Sequence, residues 1–203
     1  MEHVTTQPPL TQPPVTQPVH LSTAAIEAGL DEIRRSPTDR GVVELIVRRP
    51  AVDQRDVLEE GTLDALVGLV GDTWPDRFSR RTEDGSPHPD MQLNIMNARA
   101  IRLLADSPDR DRWALAGDQL YLDLDLSEAN LPAGTRLALG TAVIEITGQP
   151  HTGCEKFSAR FGVDALRFVN SPVGRELHLR GINARVVESG LVRAGDAVHK
   201  LPT

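Results

Sequence analysis

The sequence predicts a mainly β protein with a few short helices, folded as a closed or nearly closed β-barrel. Short strand-like runs follow one another at close spacing, separated by Gly, Pro and Asp turns. Helical periodicity is confined to a few stretches. Leu120, Leu122, Leu124 and Leu126 alternate with Tyr121, Asp123 and Asp125, the period-two signature of a half-buried strand. Aromatic residues make up only 3%, so the core must be aliphatic.

The first twenty residues read as a disordered leader. Thr-Gln-Pro recurs at Thr6, Thr11 and Thr16, and such a stretch has too few apolar side chains to offset the entropy of ordering. Residues 21–203 then form a single domain. Ile26, Leu30 and Ile33 share one face of a helix over Thr23 to Arg35, which Ser36-Pro37 ends. Gly41 opens a β-branched strand from Val42 to Arg48. The stretch from Val52 to Gly71 is mixed, with a helical turn expected around Leu63 to Val67. Asp72 to Asp90, carrying Pro75, Gly85, Pro87 and Pro89, is a long polar loop. Gln92 to Met96 reads as a strand, and Asn97 caps a helix through Ala105. After the alternating Leu120 run, Leu137 to Leu139 and Ala142 to Thr147 form a hairpin around Gly140-Thr141. Lys156 to Phe161 and Val163 to Val169 are helical, interrupted by Gly162. Ile182 to Glu188 and Ala197 to Lys200 read as a last pair of strands, with turns at Gly190 and Gly195-Asp196.

A net charge of −7 argues against a broad nucleic-acid surface. The lone cysteine excludes an internal disulfide and fits a reducing compartment, so the expected location is the cytoplasm. No apolar run approaches a membrane span, and the N-terminus has no secretory-signal pattern. The six histidines lack short ligand spacing, and no GxSxG, Walker-type or GxGxxG motif is present.

That cysteine, Cys154, carries the chemistry. It lies in Gln149-Pro150-His151-Thr152-Gly153-Cys154-Glu155-Lys156-Phe157, a turn at the end of a strand. His151 and Lys156 are cationic neighbours of the kind that favour the reactive thiolate. An inert thiol that merely ends a strand is the other reading, and the sequence leaves both open. Downstream, Arg160, Arg167, Arg175, Arg180 and Arg185 cluster in an otherwise acidic chain. With Lys156 they read either as a pocket for an anionic, phosphorylated ligand or as a solvated face paired with nearby acids. Asp72, behind Gly68 and Gly71, is a candidate for orienting a ligand donor or for an Asx-type turn. Asn94, Asn97 and Asn183, polar residues within apolar runs, are read mainly as core hydrogen-bonding groups.

Taken in order, Gly68-Leu69-Val70-Gly71-Asp72, Leu131 to Leu137, Ala142 to Thr147, His151-Thr152-Gly153-Cys154 and Gly190 to Val198 resemble a MOSC domain, the C-terminal domain of molybdenum cofactor sulfurases. The resemblance runs from about Gly41 to Lys200. It implies a β-rich barrel and a stand-alone protein that binds molybdenum cofactor or carries sulfur as a persulfide. Cys154 matches the family's cysteine, as persulfide carrier or molybdenum ligand. His151 and Lys156 would then stabilise its anion. Arg160, Arg167, Arg175 and Arg180 become candidates for the cofactor phosphate, with Asp72 and Asn183 as further binding residues. The sulfurases load sulfur through a pyridoxal phosphate domain; no pyridoxal phosphate is expected on this chain itself. A sulfur-donating desulfurase or an acceptor molybdoenzyme is the implied partner, with neither nucleic acid nor membrane. A molybdenum-dependent reductase of N-hydroxylated compounds and a non-catalytic small-anion binding module are the alternative readings.

Overall fold

The computed structural model describes residues 20–202, so nearly all of the expected leader lies outside the described residues. In chain order the elements are α1 (Thr23–Ala28), α2 (Leu30–Arg34), β1 (Arg40–Arg48), β2 (Asp56–Leu58), β3 (Glu60–Asp64), β4 (Gly68–Leu69), β5 (Leu93–Asn97), α3 (Ala98–Ala105), α4 (Arg110–Ala114) and β6 (Leu120–Asp123). They continue with β7 (Arg136–Leu139), β8 (Ala142–Ile146), α5 (Glu155–Phe161), α6 (Val163–Val169), α7 (Pro172–Glu176), β9 (Ile182–Glu188), β10 (Gly190–Arg193) and β11 (Ala197–Lys200).

Seven strands close into a mixed barrel in the order β1-β6-β5-β9-β8-β7-β11, with β11 pairing back onto β1. All neighbours are antiparallel except β5 and β6, whose crossover carries α3 and α4. The strand β2 extends the sheet from β1, and β10, β3 and β4 form a separate small sheet.

The barrel wall separates two cores. Leu120, Leu122, Leu137, Ile144 and Val198 fill the barrel, while Tyr121, Leu45, Val47 and Met96 point outward under the helices. There they meet Ile26, Ile33, Ile101, Phe157, Phe161 and Phe168. This double burial explains why β1 reads as an almost unbroken apolar run. A register shift between Val43 and Leu45 moves its inward-facing set by one residue. Each fully buried aliphatic side chain contributes roughly 2 kcal/mol.

Several sequence expectations change. The first helix breaks at Gly29, where an added Cβ would lie 2.6 Å from the Leu103 side chain. The expected helical turn at Leu63 to Val67 is instead β3, a turn and β4. There the Asp64 carboxylate accepts from the Leu66 and Val67 N–H groups. The Leu120 run alternates as expected, but β6 ends at Asp123 and the opposite face is covered, with Tyr121 fully buried. The two closing strands do not pair with each other: β9 lies between β8 and β5, and β11 between β7 and β1. The helices α4 and α7 were not read from the sequence, although Asp109 and Ser171-Pro172 provide their N-terminal caps. Among the described residues no helix is long and apolar enough to cross a membrane.

Candidate functional site

One mouth of the barrel gathers the chemistry. The register places the C-terminal ends of β1 and β8 beside the starts of β5, β6 and β9. The segments leaving or entering there carry Arg49 and Arg55, the 149–154 turn, Asp118 and Arg180.

A buried polar frame spans this mouth. Arg49 donates to both Asp72 carboxylate oxygens at 2.8 Å, to Asn94 Oδ1 at 3.0 Å and to the Gly117 carbonyl at 2.9 Å. Asp72 also accepts the backbone N–H of Arg49 and of Trp74, which fixes the start of the long loop against β1. Asn94 donates to Asn183 Oδ1 at 2.6 Å, and Asn183 in turn donates to the Gln149 carbonyl at 3.1 Å. Asp72 and Asn183 thus hold the frame on which the cysteine turn rests. Asn97 lies at the far end of β5, where it caps α3 and donates to Ser36 and the Leu124 carbonyl.

Cys154 is exposed and forms the N-cap of α5. Gly153, before it, donates to Asn170 at 3.1 Å and leaves no room for a Cβ against Leu166. Two cavities lie nearby, one lined by Gln149 to Thr152 and the other by Lys156; Cys154 itself lines neither. The smaller, about 330 Å³, is walled by Arg49, Arg55, Arg77 and Lys156 against Asp53 and Asp76. Arg55 and Arg77 are its least committed cations. Arg55 Nε is buried without a partner, and Arg77 makes no side-chain hydrogen bond among the described residues. Partial desolvation, then repulsion from Arg49, holds the guanidinium of the otherwise exposed Arg77 down to about 10. Burial and the neighbouring Arg160 and Arg49 likewise lower Arg55. Both remain cations near neutrality, and their mutual repulsion makes an incoming anion favourable.

The larger cavity, about 480 Å³, runs from Gln149 to Thr152 on one side to α7 on the other. At its inner end Arg180 chelates the fully buried Asp118 at 2.8 and 3.0 Å, with its guanidinium over the Phe157 ring at 5.0 Å. Burial pushes the Asp118 carboxyl up while Arg180 opposes that rise. His151 stands with Nδ1 3.5 Å from Asp118 Oδ1.

The expected site residues therefore divide. Desolvation, then Arg180 and Arg49, holds His151 well below the ordinary histidine range, so it is neutral and lends no charge to Cys154. Lys156 reaches Asp53 at 3.5 Å, and Arg160 bonds Asp53 at 2.8 Å and the Leu115 carbonyl at 2.7 Å. Both stay beside the basic cavity. Arg175 and Arg180 face the larger cavity, and Arg167 lies exposed on α6 away from either wall. Arg49, Arg55, Arg77 and Asp118 were missed. For Arg49 and Asp118 the available signal was position: charged residues next to the ends of apolar strands, at Arg48-Arg49-Pro50 and Asp118-Gln119. The described residues contain no cluster of three or more His, Cys, Asp or Glu side chains set to hold a metal ion.

The fold is similar to the YUAD protein from Bacillus subtilis (TM-score 0.57, 17% identity, 80% of this chain and 97% of that one). It is also similar to YiiM from Escherichia coli (0.51, 20%, 80% and 70%) and YiiM from Geobacillus stearothermophilus (0.53, 13%, 80% and 75%). At these identities the likeness is one of fold. No curated protein matches the chain in sequence. The family model for the MOSC domain matches residues 83–199, from the long loop through Cys154 to β11. The match covers more than half of the sequence and the barrel it describes is present, so the chain belongs to the MOSC domain family.

Proposed function

We propose that this MOSC protein binds the molybdenum cofactor at the barrel mouth, with Cys154 presented to the metal. Supporting this is an open thiol at the start of α5 close in sequence to Lys156, which lines a cavity with two lightly bonded guanidinium groups, Arg55 and Arg77. The residues fit the group. Arg55 and Arg77, with Lys156, would hold the phosphate from the cavity they line. The Arg49–Asp72–Asn94–Asn183 frame fixes the turn that presents the sulfur. When bound, the cofactor supplies a metal centre for oxygen-atom or electron transfer, the chemistry a reductase of N-hydroxylated compounds needs.

Protein made in a host with intact cofactor synthesis is then expected to carry molybdenum and pterin near one per chain. Arg55→Gln lowers that occupancy. Substoichiometric molybdenum in the parent protein rejects the reading.

The exposure of Cys154 also favours a second reading, sulfur carriage. The Cys154 thiolate attacks the outer sulfur of a donor desulfurase's persulfide; the new S–S bond forms as the donor thiolate leaves. Intact mass after treatment with such a donor shows one added sulfur, absent in Cys154→Ser. If an anion binds unchanged in Cys154→Ala and neither sulfur nor molybdenum is held, the chain is a small-anion binding module.

A further inference from the structure

The larger cavity plays no part in the cysteine reading, yet it is built as a binding site. Leu131, Ile146, Val169 and Ile182 give it an apolar wall. Arg180, more than nine-tenths buried, ends in this wall with its Nε–H unpartnered. His151 reaches the same wall with a small exposed edge, its side chain 13% exposed. His151 Nδ1 is buried with no hydrogen bond made, and its closest acid, Asp118 Oδ1 at 3.5 Å, favours the tautomer with the proton on Nδ1. That leaves Nε2, a hydrogen-bond acceptor, as the ring nitrogen open to the cavity. The seat exists because residue 181 is glycine. A Cβ there would lie 2.3 Å from the Ile95 carbonyl oxygen and 3.2 Å from His151 Nδ1. At the rim stands the exposed Arg175, with Glu128 on the same wall.

The geometry points to a ligand site for a small organic monoanion: a carboxylate paired with Arg175, an apolar body on the four aliphatic side chains, and a hydroxyl or amide donor to His151 Nε2. Glu128 disfavours a second negative charge. At about 480 Å³ the cavity accommodates a single substituted ring or a short chain. The site stands apart from the cysteine chemistry and needs neither the thiol nor a bound cofactor.

The test titrates the full chain with 4-hydroxybenzoate, benzoate and 4-hydroxybenzamide, following the histidine ring nitrogens by NMR. Saturable binding of 4-hydroxybenzoate is expected, with a shift at His151 Nε2. Benzoate lacks the hydroxyl donor and the benzamide lacks the charge, so each binds more weakly by roughly tenfold, the loss of one hydrogen bond to a desolvated group. Arg175→Gln weakens the hydroxybenzoate to a similar degree, and Ala133→Trp, a change in an exposed loop residue on the cavity wall, abolishes it. Cys154→Ser leaves binding unchanged, so failure of the cysteine reading is told apart from failure here. No saturable shift at His151, or binding that survives both Arg175→Gln and Ala133→Trp, overturns the assignment.

Discussion

His151 stands three residues before Cys154, and in the sequence that proximity argues for a cation beside the thiol. In the fold the ring is desolvated and faces Arg180 and Arg49, so protonation is resisted and the histidine stays neutral. The consequence for stability has a definite sign. Below the ordinary histidine value, about 6.5, the unfolded chain takes up a proton that the folded chain refuses. Stability is therefore full above that pH and falls as pH drops, by at most about 1.4 kcal/mol per pH unit for this group. His151→Gln is expected to flatten the slope between about pH 6.5 and 5.5 in urea denaturation; an unaltered slope refutes the burial argument. The Arg49–Asp72 pair makes a separate demand. Both side chains are almost fully buried, so Asp72→Ala strands a charge and is expected to lower stability by about 3–5 kcal/mol. A loss below about 1 kcal/mol in the same assay means that the pair contributes little.

Elements were legible where local rules decide them. The Asn97 cap, the Gly140-Thr141 hairpin and the break at Gly162, whose φ is +93°, all follow from residues within a few positions of one another. The strands β2, β3 and β4 were not legible. They have two to five residues each, and β3 is held by β10, its register pairing Leu63 with Gly190. No local pattern reveals a partner so distant in sequence. Glycines separate two kinds of backbone constraint. Gly134 has φ +90° with no heavy atom within 4 Å of where an added Cβ would stand, so Gly134→Ala bears only conformational strain, about 1 kcal/mol. Gly181, at φ +110°, would also drive a Cβ into the Ile95 carbonyl. Gly181→Ala is expected to lose more than about 3 kcal/mol in thermal or denaturant unfolding. Equal losses at the two sites contradict the packing of the 178–182 turn against β5.

At the scale of the molecule, closure of the ring is what brings the site together. The strand β11 pairs with both β1 and β7, so removing residues 197–203 opens the barrel and is expected to replace the cooperative unfolding transition with a broad one. A sharp transition at the parent midpoint contradicts closure as the organising feature. The same closure explains what the sequence hid. Cys154 and its turn were legible because one segment carries them. The basic cavity was not, because Arg55, Arg77 and Lys156 come from separate segments that meet only at the mouth. An overall charge of −7 masks that local concentration of cations.

On the proposed reading, Cys154 faces the metal of a cofactor seated beside this cavity. Molybdenum X-ray absorption on the loaded protein tests it most directly, comparing the parent chain with Cys154→Ser. The metal is expected to lose one sulfur neighbour in the variant. Identical sulfur coordination in the two proteins contradicts it.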